Sequence, residues 1–529
     1  MTSKELRMPQ PVEIYDTTLR DGTQREGISL SVHDKLKITR LLDDLGVAYI
    51  EGGWPGSNPK DAAYFEAVQA MTLHHAKIAA FGMTCRVGGD PSDDANIQAL
   101  LDAHTPTVTV VGKTSMLHVT EVLRTTPEEN LRIIKASLAY LKTQGKEVIY
   151  DAEHFFDGYK LDDEFALATL QAAIEGGADT VVLCDTNGGS MYWEVEDLTR
   201  RVVTLFPQVR IGIHTHNDGE LGVANSLAAV RAGATHVQGT INGYGERCGN
   251  ANLVSIIPDL EIKMDRRTIK GGNDRLKTLA HVSRSVAEIA NLPPDDHAAY
   301  VGRSAFAHKG GIHVAAVRRN VDSYQHIDPT LVGNEMRVLV SDLSGKGNIL
   351  TLAEQHGIDA EDRISRDVLE EVKQLESQGF AFEGAEASVA IRLQRAKLDY
   401  EPPFELVDFM VIVEQRHGRG IVTEATVKLK VGNEVMHTAA EGNGPVNALD
   451  QALRKALLPV YPQLGKLHLT DYKVRILNGD AATGAIVRVT IDTSNGEQDW
   501  STVGANTNLI VASWYALADS MEYGLMVAS

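Results

Sequence analysis

The chain has 529 residues, 43% apolar and 23% charged side chains, and a formal net charge of -20. That length asks for two or three domains rather than one core, and the acidic balance argues against a nucleic-acid partner, which would need a basic face. It leaves room for a small anionic substrate, because one local arginine can dominate a site.

Three scattered cysteines, Cys85, Cys184 and Cys248, form no CxxC pair. We therefore expect buried, reduced thiols in a cytoplasmic protein, with no disulfide framework and no thiolate zinc site. The opening stretch MTSKELRMPQPVEIYDTT has no apolar signal core. No segment offers about 18 uninterrupted apolar residues, so no membrane span is expected.

Eight short apolar runs then punctuate the first half. They are VEIYD (12–16), VAYIEGG (47–53), KIAAFGM (77–83), TVTVVGK (107–113), EVIYDAEHF (147–155), TVVLCDT (180–186), RIGIHTH (210–216) and HVQGTI (236–241). Their starts lie roughly 25 to 40 residues apart, the length of a strand, a helix and two loops. Between them, SVHDKLKITRLLDDLG shows helical spacing with Ser31 as cap and Gly46 as stop. LDDEFALATLQAAIEGGA and GVANSLAAVRAGA repeat the pattern. Eight such units predict an α/β fold, a closed (β/α)8 TIM barrel over 1–275, in preference to an open doubly wound sheet.

The rhythm stops there. Residues 276–385 read as a mostly helical connector around a loop-like centre, AFAHKGGIHVAAVRRNVDSYQHIDP. Residues 386–529 read as an α+β module with an internal repeat. ATVKLKV, a turn and VMHTAAEGNGPVNALDQALRKAL form one unit; AIVRVTIDT, a turn and QDWSTVGANTNLIVASWYALADSM form the other. Two ββα-type units suggest a pseudo-twofold module suited to dimerisation or ligand binding.

In a barrel of this kind, chemistry collects where strands end at the C-terminal face. Arg20, Asp21 and Gln24 follow the first strand. A guanidinium can pair with a carboxylate or stabilise an oxyanion, and Asp21 offers a hard oxygen ligand. On the fifth, Asp151 and Glu153 share one face, with Glu153 a candidate base. Thr186 ends the sixth and could donate its hydroxyl to a substrate carboxylate. His214 and His216 share a face at the end of the seventh. After the eighth comes NGYGERCGN, with Gly243, Gly245 and Glu246 in a loop that does not match a dinucleotide fingerprint, and then Asn250. Strands one, seven and eight adjoin in a closed barrel, so Asp21, His214, His216 and Asn250 can converge. This mixed nitrogen–oxygen set suits Zn²⁺, Mn²⁺, Co²⁺ or Mg²⁺.

At these residues the sequence resembles a known family. YDTTLRDGTQ, GIHTHNDGELGVANSLAAVRAGA and GTINGYGERCGN are similar to the acyl-CoA-dependent Claisen-condensing barrels, the isopropylmalate, homocitrate and citramalate synthases. EGGWPGSNPKD and DAEHFFDG look most like the citramalate branch. The resemblance implies an acyltransferase joining acetyl-CoA to a 2-oxo acid, pyruvate in that branch and 2-oxoisovalerate in the alternative. It implies a divalent metal on Asp21, His214 and His216, with Asn250 as a further ligand. Arg20 would stabilise the oxyanion, Glu153 and His313 would act as base, and Tyr324 would assist. Gln24, Asp151 and Thr186 would contact the 2-oxo acid, and Gly243, Gly245 and Glu246 the acetyl-CoA. Asp151 and Trp54 stand where relatives carry Ser or Tyr and Phe, which bears on substrate size. The C-terminal module resembles the family's regulatory dimerisation domain, which implies a homodimer and isoleucine as effector, with AEGNGPVNAL and VGANTNLIVA as candidate binding loops.

Overall fold

A computed structural model describes residues 11–359, 362–417 and 420–528. Eight strands, β1 (Glu13–Asp16), β2 (Tyr49–Gly53), β3 (Lys77–Met83), β4 (Thr107–Lys113), β5 (Glu147–Glu153), β6 (Thr180–Asp185), β7 (Arg210–Thr215) and β8 (His236–Gly239), form a closed barrel in chain order. All neighbours are parallel, and β1 closes on β8 with Glu13 opposite His236 and Asp16 opposite Gly239. The strands are apolar almost throughout because helices cover the outside and side chains fill the inside. Every residue of β2 and β6 is buried. The lower interior is packed by Tyr15, Tyr49, Ala79, Ile149, Val182 and Cys184.

Local chemistry sets the element ends. Ser31 accepts from Asp34 N while the Asp34 carboxylate takes the Ser31 amide, a capping box that starts the helix Val32–Leu45. Gly46 ends it at φ 95°, where a side chain would also strike the Lys270 carbonyl. The fifth run stops short of the expected 155 because His154 turns left-handed, φ 59°. The eighth stops at Gly239 because a 3-10 turn, Ile241–Gly243, follows at once.

The chain divides into two compact units: one runs to Phe306 and takes in Asp328–Glu335, and the other comprises Ala307–Ile327 and Met336 onward. In the second unit, helices Lys346–Gln355, Asp362–Ser377 and Glu386–Arg395 precede two three-stranded antiparallel sheets. Strands Glu405–Arg416, Gly420–Val431 and Glu434–Gly442 lead into helix Pro445–Leu457. Strands His468–Ile476, Val487–Ser494 and Asp499–Asn506 lead into helix Leu509–Val527.

The repeat is therefore βββα, not ββα. The strand missed in each unit is an edge strand largely exposed to solvent, so no clean alternation marks it. The cysteines also need a correction. Cys85 and Cys184 are buried, but Cys248 is exposed in the loop after β8; all three are free. Among the described residues no helix is long and apolar enough to cross a membrane.

Candidate metal and active site

The C-terminal ends of β1, β7 and β8 bring four of the expected residues together. Asp21 begins the 3-10 turn Gly22–Gln24 just past β1, and its side chain is buried. His214 lies in β7, and His216, one residue beyond it, bridges to Asn250. Ligand atoms of Asp21, His214 and His216 all lie within 4.8 Å of one another. His214 Nε2 is 3.4 Å from Asp21 Oδ2 and 3.4 Å from His216 Nε2, and Asn250 Nδ2 donates to Asp21 Oδ2 at 2.9 Å.

Burial pushes the Asp21 carboxyl upward, but the Arg20 guanidinium and His214 outweigh it and hold the carboxyl well below the usual range. Burial likewise opposes a charged His214, yet its contact with Asp21 raises it above an ordinary histidine. His216 goes the other way, pushed down to about 4 by burial and by His214.

Arg20 is held on three sides. Its Nε donates to Glu51 Oε2 at 2.7 Å, an Nη lies 3.5 Å from Asp21, and its Cζ sits 3.9 Å over the Phe81 ring. Burial disfavours its charge, but Glu51 and Asp21 raise its pKa further above the usual arginine value. Glu51 is buried in β2 and also accepts from Tyr15 Oη at 2.7 Å and from Thr17 Oγ1. Trp54 meets Phe81 edge-on with centroids 5.5 Å apart, adding bulk to this wall.

Across the barrel, Asp151 is buried in β5. Its Oδ1 accepts from Gln238 Nε2 at 2.9 Å, and Gln238 Oε1 lies 2.8 Å from His214 Nδ1. Burial pushes the Asp151 carboxyl up to about 7, with His214 acting in the opposite direction. Glu153, at the end of β5, pairs with Lys113 at the end of β4. Thr186 Oγ1 accepts from the His154 amide at 2.9 Å, and Gln24 is exposed.

The glycine loop after β8 closes on Asn250 itself. A side chain at Gly245, φ 158°, would collide with Asn250 Oδ1. Gly243 is part of the preceding turn, and exposed Glu246 lies 3.7 Å from Arg247. Arg247 clamps Asp218 at 2.7 Å. His313 and Tyr324 belong to the second unit, where their rings stack with centroids 4.3 Å apart.

Glu51, Gln238 and Lys113 were not singled out from the sequence. Each is a polar residue inside a run otherwise read as buried strand, VAYIEGG, HVQGTI and TVTVVGK. A buried polar group needs a partner, and that was the available signal.

The donor set fits a divalent cation. Two buried carboxylates, Asp21 and Glu51, meet a single guanidinium, Arg20. His216 Nδ1 and Asn250 Oδ1 have no hydrogen-bond partner among the described residues. Two imidazoles and a carboxylate meeting edge to edge leave a deficit of positive charge that an ion of the Zn²⁺ or Mn²⁺ class would fill.

Residues 11–286 match the HMGL-like family, 300–379 the homocitrate synthase post-HMGL domain-like family, and 383–525 the LeuA allosteric (dimerisation) domain. The chain is 53% identical to an (R)-citramalate synthase of Geobacter sulfurreducens, covering 97% of each chain, and 49% identical to one of Aquifex aeolicus, covering 98% of each. A probable 2-isopropylmalate synthase of Methanopyrus kandleri is 32% identical over 96% of this chain and 97% of its own. With a closed eight-stranded barrel, a buried Asp–His–His cluster at its C-terminal end and this near-full-length similarity, the chain belongs to the (R)-citramalate synthase family.

Proposed function

We propose that this chain condenses acetyl-CoA with pyruvate and water to give (R)-citramalate and free CoA, the entry step of a threonine-independent isoleucine route. The observation that carries the proposal is the convergence of Asp21, His214 and His216 beside Arg20 in a family of such synthases. When bound there, with Asn250 adjacent, a divalent ion such as Mn²⁺, Zn²⁺, Co²⁺ or Mg²⁺ would supply Lewis-acid polarisation of the 2-oxo acid.

The chain's own groups do the rest. Glu153 takes a proton from the acetyl methyl group, and Lys113 holds the Glu153 carboxylate in place. The resulting enolate carbon attacks the keto carbon of pyruvate. Arg20, fixed by Glu51, offers its remaining N–H groups to the oxygen that gains negative charge and is then protonated to the hydroxyl. Water cleaves the thioester, leaving a carboxylate and the CoA thiol. Thr186 and Gln24 contact the pyruvate carboxylate, and Gly243, Gly245 and Glu246 border the acetyl-CoA.

The aromatic wall of Trp54 and Phe81 supports a small side chain on the 2-oxo acid. The LeuA-type domain supports a homodimer with isoleucine as effector. A CoA-release assay across a panel of 2-oxo acids, with and without isoleucine, tests the reading. Pyruvate should be preferred, and isoleucine should slow turnover. A strong preference for 2-oxoisovalerate would instead assign the chain to 2-isopropylmalate synthesis.

A further inference from the structure

We propose that Gln238 and Asp151 form a positioning relay that sets which ring nitrogen of His214 faces Asp21. The proposal rests on reading Asp21, His214 and His216 as cation ligands. It reassigns Asp151, expected from the sequence to contact substrate, to a role behind the ligands.

The chain of contacts is directional. Gln238 is the register partner of His214 across β7 and β8, and both are buried. The amide has two donors on nitrogen and two lone pairs on oxygen, so its two ends are not interchangeable. Nε2 donates to Asp151 Oδ1 at 2.9 Å. Ionised Asp151 can only accept, so the amide nitrogen turns toward it. Gln238 Oε1 is thereby left 2.8 Å from His214 Nδ1. An oxygen there can only accept, so Nδ1 keeps its proton. Nε2 is then the nitrogen that presents a lone pair toward Asp21 Oδ2, His216 Nε2 and Asn250 Nδ2, at 3.4, 3.4 and 3.3 Å.

A histidine ligand is oriented by the hydrogen bond its other nitrogen makes. Here that bond is made by a neutral amide, and the orientation of the amide is set from across the barrel, by Asp151 of β5. Asp151 is 3% exposed, and its contact with Gln238 lies inside the barrel, beneath the cluster. No other side chain hydrogen-bonds to His214 Nδ1 among the described residues.

The test uses the full-length, metal-stripped chain and two readouts. Mn²⁺ binding is followed by electron paramagnetic resonance, and the His214 tautomer by nitrogen NMR of 15N-histidine-labelled protein at mildly alkaline pH. Wild type should show the Nδ1–H tautomer. Gln238→Leu should lose that preference and bind Mn²⁺ about 10- to 100-fold more weakly. Because a buried Gln238→Leu could disturb packing, a polarity swap provides the control. Gln238→Glu combined with Asp151→Asn keeps an acceptor toward His214 and reverses the donor in the second contact. The double variant should restore Mn²⁺ affinity to within about threefold of wild type, where Gln238→Leu does not.

Unchanged affinity and tautomer in a folded Gln238→Leu, or an Nε2–H tautomer in wild type, would overturn the relay. So would an Asp151→Ala variant that changes the KM for pyruvate while leaving Mn²⁺ affinity and the tautomer untouched. If the tautomer responds to Gln238→Leu but no divalent ion binds wild type, the relay stands and the metal reading fails.

Discussion

The two ends of the barrel use ionisable groups in opposite ways. At the N-terminal end Glu13 and Glu147 each meet a cation. Glu13 pairs with Arg210, and Glu147 takes Lys77 Nζ at 2.8 Å, Thr107 Oγ1 at 2.9 Å and Tyr49 Oη at 2.9 Å. Burial raises both carboxyls, but the contacts outweigh it, His236 and Arg210 for Glu13 and Lys77 with Thr107 for Glu147, and both titrate below their ordinary values. At the C-terminal end Asp21 and Glu51 share one guanidinium, and among the described residues His216 Nδ1 and Asn250 Oδ1 are left without hydrogen-bond partners. A closed ion-pair network needs nothing further and holds strands together. An open one is incomplete until a ligand brings charge, and the fold reserves that end for chemistry.

The contrast can be broken most severely at the open end. His214→Ala or Asp21→Ala should lower CoA release by about 10³-fold or more, with loss of bound ion seen by metal analysis. Full activity in either would remove the basis for placing the reaction there. Arg20→Lys keeps the charge but not the planar fork that binds Glu51 and reaches Asp21. Its kcat should fall about 10²- to 10³-fold, while ion affinity stays within about threefold.

The third expectation concerns protons. In the ion-free chain His214 holds its proton to a higher pH than an ordinary histidine, so an incoming cation must displace it. Ion affinity should weaken as pH falls below the raised His214 pKa, by up to about tenfold per pH unit, and level off above it. Calorimetry in buffers of different ionisation heat would register the released proton; binding without proton release would contradict this.

The smallest effect belongs to the closed end. Arg210→Met should cost about 1–2 kcal/mol in urea unfolding, since the pair is only part-buried, and leave turnover within about twofold. The folded pKa of Glu13 is depressed, so its contribution is present above the unfolded value of about 4.3 and is lost as pH falls through the folded value. The penalty of Arg210→Met should therefore shrink in acid.

Much of this was legible in the sequence because barrel strands carry strong, evenly spaced apolar runs. Spacing two histidines by two residues puts them on one strand face, and closure brings β1 and β8 beside them. The network behind the ligands was harder to read. Glu51 and Gln238 sit within apolar runs, and which partners they find depends on contacts between distant positions in chain order, Asp151 with Gln238 at 87 and Tyr15 with Glu51 at 36. The first strand of each C-terminal repeat was missed for the opposite reason. An exposed edge strand buries too little on one side to print a period-two pattern.

The most direct measurement is a Mn²⁺ titration of the metal-stripped full-length chain against its His214→Ala variant, read by electron paramagnetic resonance. The open end predicts one tightly bound ion per wild-type chain and none in the variant, with CoA release from acetyl-CoA and pyruvate rising in proportion to occupancy. Equal binding by both proteins, or full CoA release without an ion, would contradict it.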